Sequence, residues 1–331
     1  MSVTEFSNRL GNAILSFLWR QWTSLGITGQ FSSFSGHYVL DPEALLLFSS
    51  WFCRYDPRLF DLIIDWLHGN GEYISIQRLK AIAAKTTALN VPSLGYMASC
   101  LSDRKERRWQ KFADDMRPAT VPSPLPLFLN FEGTPCDFIR HPDDNAQKYG
   151  FLRNPYIPSF KTTFFSPTED AAFLLQLRGA FGLSARAETI LSLLSKEICK
   201  IQDIADISSF SWKSIQDAIQ ELCSSSLVTS HAGIKRGSTY SLAHPEQLLA
   251  LFGKKAVSFP NWPAIFEALA QIWQTVSNPR LASLSPATTH GEIVQLFKEK
   301  LGDSLLAANY LPLKFLTPDN FTQLPDFLAK E

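Results

Sequence analysis

Two groups of side chains in this 331-residue chain have the types and spacing for chemistry with a polyanion. The first is Trp212, Lys213, Ser214, Gln216 and Gln220, with Asp217 among them. They fall on the side of a helical repeat opposite Ile215, Ala218, Ile219 and Leu222. Amides and hydroxyls so placed can hydrogen-bond base edges, and a lysine can neutralise phosphate. Downstream, His231, Gly233, Lys235, Arg236 and Gly237 make a Gly-bounded basic tip that would reach a backbone or minor groove. The second group is Arg104-Lys105-Glu106-Arg107-Arg108-Trp109-Gln110-Lys111. Here Arg104, Lys105, Arg107, Arg108 and Lys111 would track phosphates without specifying sequence. The plainer reading is a solvated helix face, since Asp103, Asp114 and Asp115 dilute the field.

Other chemistry finds no residues to carry it. The sequence has no G-x-G-x-x-G, no G-x-x-x-x-G-K-[ST], no H-E-x-x-H and no G-x-S-x-G. Its six histidines do not pair with Cys or carboxylates at ligand spacing. His141-Pro142-Asp143-Asp144 is the one polar cluster with a metal reading, and an ordinary turn explains it better. Cys53, Cys100, Cys136, Cys199 and Cys223 are scattered, with no C-x-x-C pair, which fits a reducing cytosolic compartment without zinc. We expect no catalytic residue, no metal and no cofactor.

The elements that position the first group lie between Ser184 and Leu242. Ile190, Leu191, Leu193, Leu194 and Ile198 recur at helical spacing after Ser184, a helix cap. Lys200 to Ile207 makes a short second helix with Ile201, Ile204 and Ala205 on one face, and a third opens at Ser211. Leu227-Val228 begins a strand and Tyr240 to Leu242 ends another, on either side of the basic tip. In that order, the I-x-x-I-A of the second helix, the S-x-x-x-I-x-x-x-I-x-x-L of the third and the basic hairpin resemble the winged helix-turn-helix domains of bacterial MarR and ArsR transcription regulators. The resemblance covers about a fifth of the chain. It implies a mainly α fold with three helices and a β-hairpin wing, and a cytoplasmic, DNA-binding transcriptional regulator acting on double-stranded DNA as a homodimer. The same fold also serves as a protein-docking module, so the alternative is a non-catalytic protein interaction unit. Charge does not choose between them: Arg186, Lys196, Lys200, Lys213, Lys235 and Arg236 are offset by Glu188, Glu197, Asp203, Asp206, Asp217 and Glu221. The whole chain is balanced likewise, with 31 basic and 31 acidic residues, so attraction to nucleic acid or membrane must be local.

The rest of the chain divides as a helical domain over 1–117, a crossing segment over 118–167, the winged unit over 168–252 and a helical extension over 253–331. Residues 4 to 25 form an apolar-striped helix that either packs on the chain's own core or dimerises. Asp41-Pro42 and Asp56-Pro57 start two more helices, with Gly69-Asn70-Gly71 closing the second in a left-handed turn. Ser75 to Ile82 shares I-Q-x-[LI]-x-x-I with Lys200 to Ile207. The echo is read either as a second, degenerate helix-turn-helix between about 42 and 117 or as chance. Nine prolines between Pro118 and Pro167 exclude long helices there, while nine Phe and Tyr residues require it to be packed rather than free. Helices are expected at 168–182, 245–252, 262–276, 291–301 and 304–309, with the Pro-spaced tail strapped over an apolar surface. No run of 18 uncharged apolar residues and no secretory leader is evident, so no membrane partner is expected.

Overall fold

Ser2 begins the first helix, α1 (Val3–Ser24). Its hydroxyl accepts the Glu5 amide proton while the Glu5 carboxylate accepts that of Ser2, which satisfies two orphan donors at once. The structure, a computed structural model, describes residues 2–29, 38–101, 107–121, 123–136, 138–159, 161–232 and 237–329. The stripe Phe6, Leu10, Ile14, Phe17, Leu18 and Trp22 is buried by the chain itself, so it is not left open for a second copy. Gly26, with φ of 106°, ends α1 in a Schellman turn, and a Cβ there would lie 2.7 Å from the Thr163 carbonyl oxygen.

The two Asp-Pro steps start α2 (Pro42–Phe52) and α3 (Pro57–Asn70). Asp41 accepts the Ala44 amide at 3.0 Å, and Asp56 that of Leu59 at 3.1 Å. The left-handed turn expected at 69–71 does not form: α3 runs through to Asn70, and Gly71 has φ of −60°. Tertiary bonds hold it so, because the Asn70 amide donates to the Thr163 carbonyl (3.2 Å) and accepts from the Phe165 amide (3.3 Å). Gly71 is closely approached instead, since a Cβ would sit 3.2 Å from the Trp109 indole nitrogen.

Next come α4 (Ile76–Ala83), α5 (Val91–Ser99) and α6 (Arg107–Asp115). After α6 the chain forms β1 (Leu125–Pro126), α7 (Asp144–Gln147) and β2 (Phe151–Leu152), with β1 and β2 parallel. Between them Leu129 and Pro135 form an isolated antiparallel bridge, with the Asn130 amide donating to the Thr134 carbonyl at 2.8 Å. The Pro- and aromatic-rich segment straps across α3. Arg153 holds Asp61 with two bonds (2.7 and 2.9 Å), and Tyr156 and Ser159 both bond to Asp65.

A 3₁₀ turn, Asp170–Ala172, leads into α8 (Phe173–Phe181). Then come α9 (Ala185–Lys196), α10 (Ile201–Ser208), α11 (Trp212–Ser224), β3 (Val228–His231) and β4 (Thr239–Leu242). The strands pair antiparallel, Val228 opposite Leu242 and His231 opposite Thr239. Cys199 adds a third strand position, exchanging backbone bonds of 3.0 and 2.9 Å with Tyr240. Ile198, expected on the helix, therefore lies beyond it and is 59% exposed, because Glu197 turns the chain with φ of 60°. Ser226 also has φ of 60° and closes a Schellman turn, Leu227 donating to Leu222 O and Ser226 to Cys223 O. A side chain there is strained, so Ser226→Gly is expected to stabilise the protein by about 0.5–1 kcal/mol, read as a raised denaturant midpoint.

The extension contains α12 (Pro245–Leu251), α13 (Trp262–Val276), α14 (Pro279–Ala282) and α15 (Pro286–Leu296). A π turn at Phe297–Leu301 precedes α16 (Gly302–Ala308), α17 (Leu311–Lys314) and α18 (Leu324–Ala329). The helix expected from Gly291 begins earlier because Ser285 caps it, accepting the Thr288 amide at 3.3 Å. Helix α13 is the central strut, and α1 packs on both α13 and α18. The Trp262 indole donates to the Val39 carbonyl at 2.7 Å. The tail does strap an apolar surface, in short helical pieces: Phe321 meets Phe6 with ring centres 5.1 Å apart. Buried apolar residues form one continuous core through all these parts. Among the described residues no helix is long and apolar enough to cross a membrane.

Candidate nucleic-acid interface

Ser211 caps α11, accepting the Ser214 amide at 3.1 Å, and the two hydroxyls lie 2.8 Å apart. The Ser214 hydroxyl thus serves the cap. Isoleucine, alanine and leucine at 215, 218, 219 and 222 turn inward as their period requires. That leaves Trp212 (48% exposed), Lys213 and Gln220 on the surface, with Gln216 half-buried. The Lys213 ammonium meets the Asp217 carboxylate at 2.7 Å, one helical turn away. Arg186 of α9 binds Glu221 in the same manner, and that bond holds the Glu221 carboxyl below its ordinary range. Both pairs are exposed, and solvent and salt screen such pairs, so a phosphate could displace them.

The basic run is divided by the fold. Trp109 and Phe112 turn into the core. Arg108 is half-buried and donates to the carbonyl oxygens of Gly71 (2.5 Å) and Ile74 (3.3 Å). The guanidinium thus ties α6 to the α3–α4 junction. Arg107 and Lys111 are exposed. Arg104, Lys105, Lys235 and Arg236 lie outside the described residues. Helix α4 stands between the two groups. Its Gln77 lines a groove with Ser214, Asp217 and Glu221, and its Lys80, one turn on, pairs with Asp115 of α6 at 2.5 Å.

At the turn into α11 lies a feature that periodicity did not reveal. Asp41, Glu43, Arg78, Arg178 and Glu188 form one ion network at 0–2% exposure. Arg78 grips Asp41 with both terminal nitrogens and Glu43 at 2.7 Å, and its Nε donates to the Ser208 carbonyl at 2.5 Å. A cation therefore caps the C-terminus of α10, at the turn into α11. Arg178 of α8 bridges Glu43 (2.7 and 2.9 Å) to Glu188 of α9 (2.6 Å). Burial disfavours ionisation of Asp41, yet the Arg78 charge and hydrogen bonds, with the Ala44 amide and Arg178, outweigh it and hold that carboxyl below its ordinary range. Both guanidiniums are held charged by the same acids against the cost of burial. A signal was present in the sequence: each of Arg178 and Glu188 falls three or four residues from apolar stripe residues, where a solvated side chain does not fit.

Comparison with known protein families, with characterised proteins and with solved structures returns no match. No cluster of metal-ligating side chains occurs among the described residues. Burial pushes the Cys100 thiol up to about 12 and the Cys199 thiol up to about 11, away from the reactive thiolate. His141-Pro142-Asp143-Asp144 is a helix start, Asp143 accepting the Asn145 amide at 2.9 Å and the Tyr96 hydroxyl at 2.9 Å.

Proposed function

We propose that residues 184–242 are a winged helix that binds double-stranded DNA and that the chain is a non-enzymatic transcriptional regulator. The observation that supports it is the pairing of Cys199 with Tyr240. It joins a strand position between α9 and α10 to the β3–β4 hairpin, the winged-helix order of helix, strand, helix, helix, strand, strand. Helix α11 then enters the major groove with Trp212, Lys213, Gln216 and Gln220, and Lys235 and Arg236 reach the backbone or minor groove. Two copies on adjacent half-sites would multiply this small charge footprint.

Three phosphate-neutralising cations per chain predict a log K against log salt slope of about −3. Binding to random duplex, read by fluorescence anisotropy, should weaken roughly a thousandfold over a tenfold rise in salt. Lys235→Glu with Arg236→Glu should abolish retention. Absence of salt-dependent binding at any concentration sinks the proposal.

A second reading, docking of a protein partner through the same face, is favoured by one observation: the half-exposed Trp212 stands beside charges that are already paired. The charge-reversed hairpin separates the readings, since unchanged retention on DNA removes the first.

A further inference from the structure

A cleft of about 420 Å³ opens where the start of α1, the end of α13, α14, α15 and the tail meet. Its floor is apolar: Phe6, Leu281, Ile293 and Phe321 are each at most 6% exposed, and the Phe6 and Phe321 rings stand tilted at 49°. Its volume falls in the range of sites that enclose small organic ligands. The polar side chains that line it are Ser2, Thr289, His290 and Thr322, of which Ser2, His290 and Thr322 are exposed and form the rim. No carboxylate side chain is among those that line it in the described residues, and the nearby Glu5 carboxylate is taken up by the Ser2 amide. Ser2 and Val3 also bring the first turn of the 22-residue α1 to one edge.

We propose that this cleft binds a flat, apolar small molecule carrying one hydrogen-bond-accepting or anionic end group. The rings and branched side chains of the floor enclose the body. The His290 imidazole and the rim hydroxyls hold the end group. The site stands on the geometry of the extension alone and does not depend on whether the chain binds DNA.

The test uses two probes that differ in one group, anilinonaphthalenesulfonate and its uncharged parent N-phenylnaphthylamine, titrated into the full chain and followed by fluorescence. Both should bind saturably at one site per chain, the sulfonate more tightly. Ile293→Trp fills the cleft and should remove both signals, with Leu284→Trp as the milder variant should the first fail to fold by circular dichroism. His290→Ala should weaken the sulfonate on the order of tenfold, as loss of a charge-assisted hydrogen bond predicts, and leave the neutral probe unchanged. Equal binding in folded Trp variants, or a sulfonate affinity indifferent to His290→Ala, overturns the proposal.

Discussion

Replacing Arg178 by Met is expected to lower the free energy of unfolding by about 3–5 kcal/mol, the cost of leaving a buried charge without its partner. Without that guanidinium, Glu43 and Glu188 face each other's surroundings at 0–1% exposure with only one cation, Arg78, in the network. Water does not reach them to compensate. Arg78→Met should cost a similar amount and have a second effect, since it also uncaps Ser208 at the end of α10. Denaturant midpoints at constant m-value measure both. Lys213→Ala, which removes an exposed pair, should change stability by no more than about 0.5 kcal/mol. A loss under 1 kcal/mol for either arginine would show that the network is not what joins the N-terminal helices to α8, α9 and α10.

The second large effect is on acid stability. The folded-state pKa of Asp41 lies below its ordinary value, so the native protein binds that proton less readily than the unfolded chain. Its contribution is complete above the unfolded pKa and is lost as pH falls through the folded one. Glu267, half-buried, acts in the same direction: burial opposes its ionisation, but the Thr86 and Thr87 hydroxyls and the Thr87 amide hold it below its ordinary range. Unfolding should therefore become steeply favourable below pH about 4. Asp41→Asn should be less stable than the parent at neutral pH and show a shallower loss on acidification. If its stability falls with pH as steeply as the parent's, Asp41 is not the group responsible. Salt should matter little in this window, because a fully buried network is poorly screened.

The short-range features of this chain were legible from its residues. Asp41 and Asp56 cap helices because an Asp before Pro supplies the acceptor and the fixed φ that a helix start needs. The apolar stripe of α11 follows from a period of 3.6, and the two strands lie on either side of the Gly-bounded tip. Exposure of Trp212, Lys213 and Gln220 follows too, being the complement of that stripe.

Only the tertiary structure decided the rest. Gly69 to Gly71 carries a left-handed turn signal, yet Asn70 is held at a φ of −118° by bonds to Thr163 and Phe165, ninety residues on, which outweigh a local preference. Arg108 sits in a basic run but spends its donors on Gly71 and Ile74. The ion network joins residues 41, 43, 78, 178 and 188, and the cleft draws on both ends of the chain. Periodicity reports which face of one helix is covered; it holds no information on which distant charge covers it. The candidate DNA-facing residues were thus marked by the sequence by itself, while what holds α11 in place beside α4 was determined by packing across the whole chain.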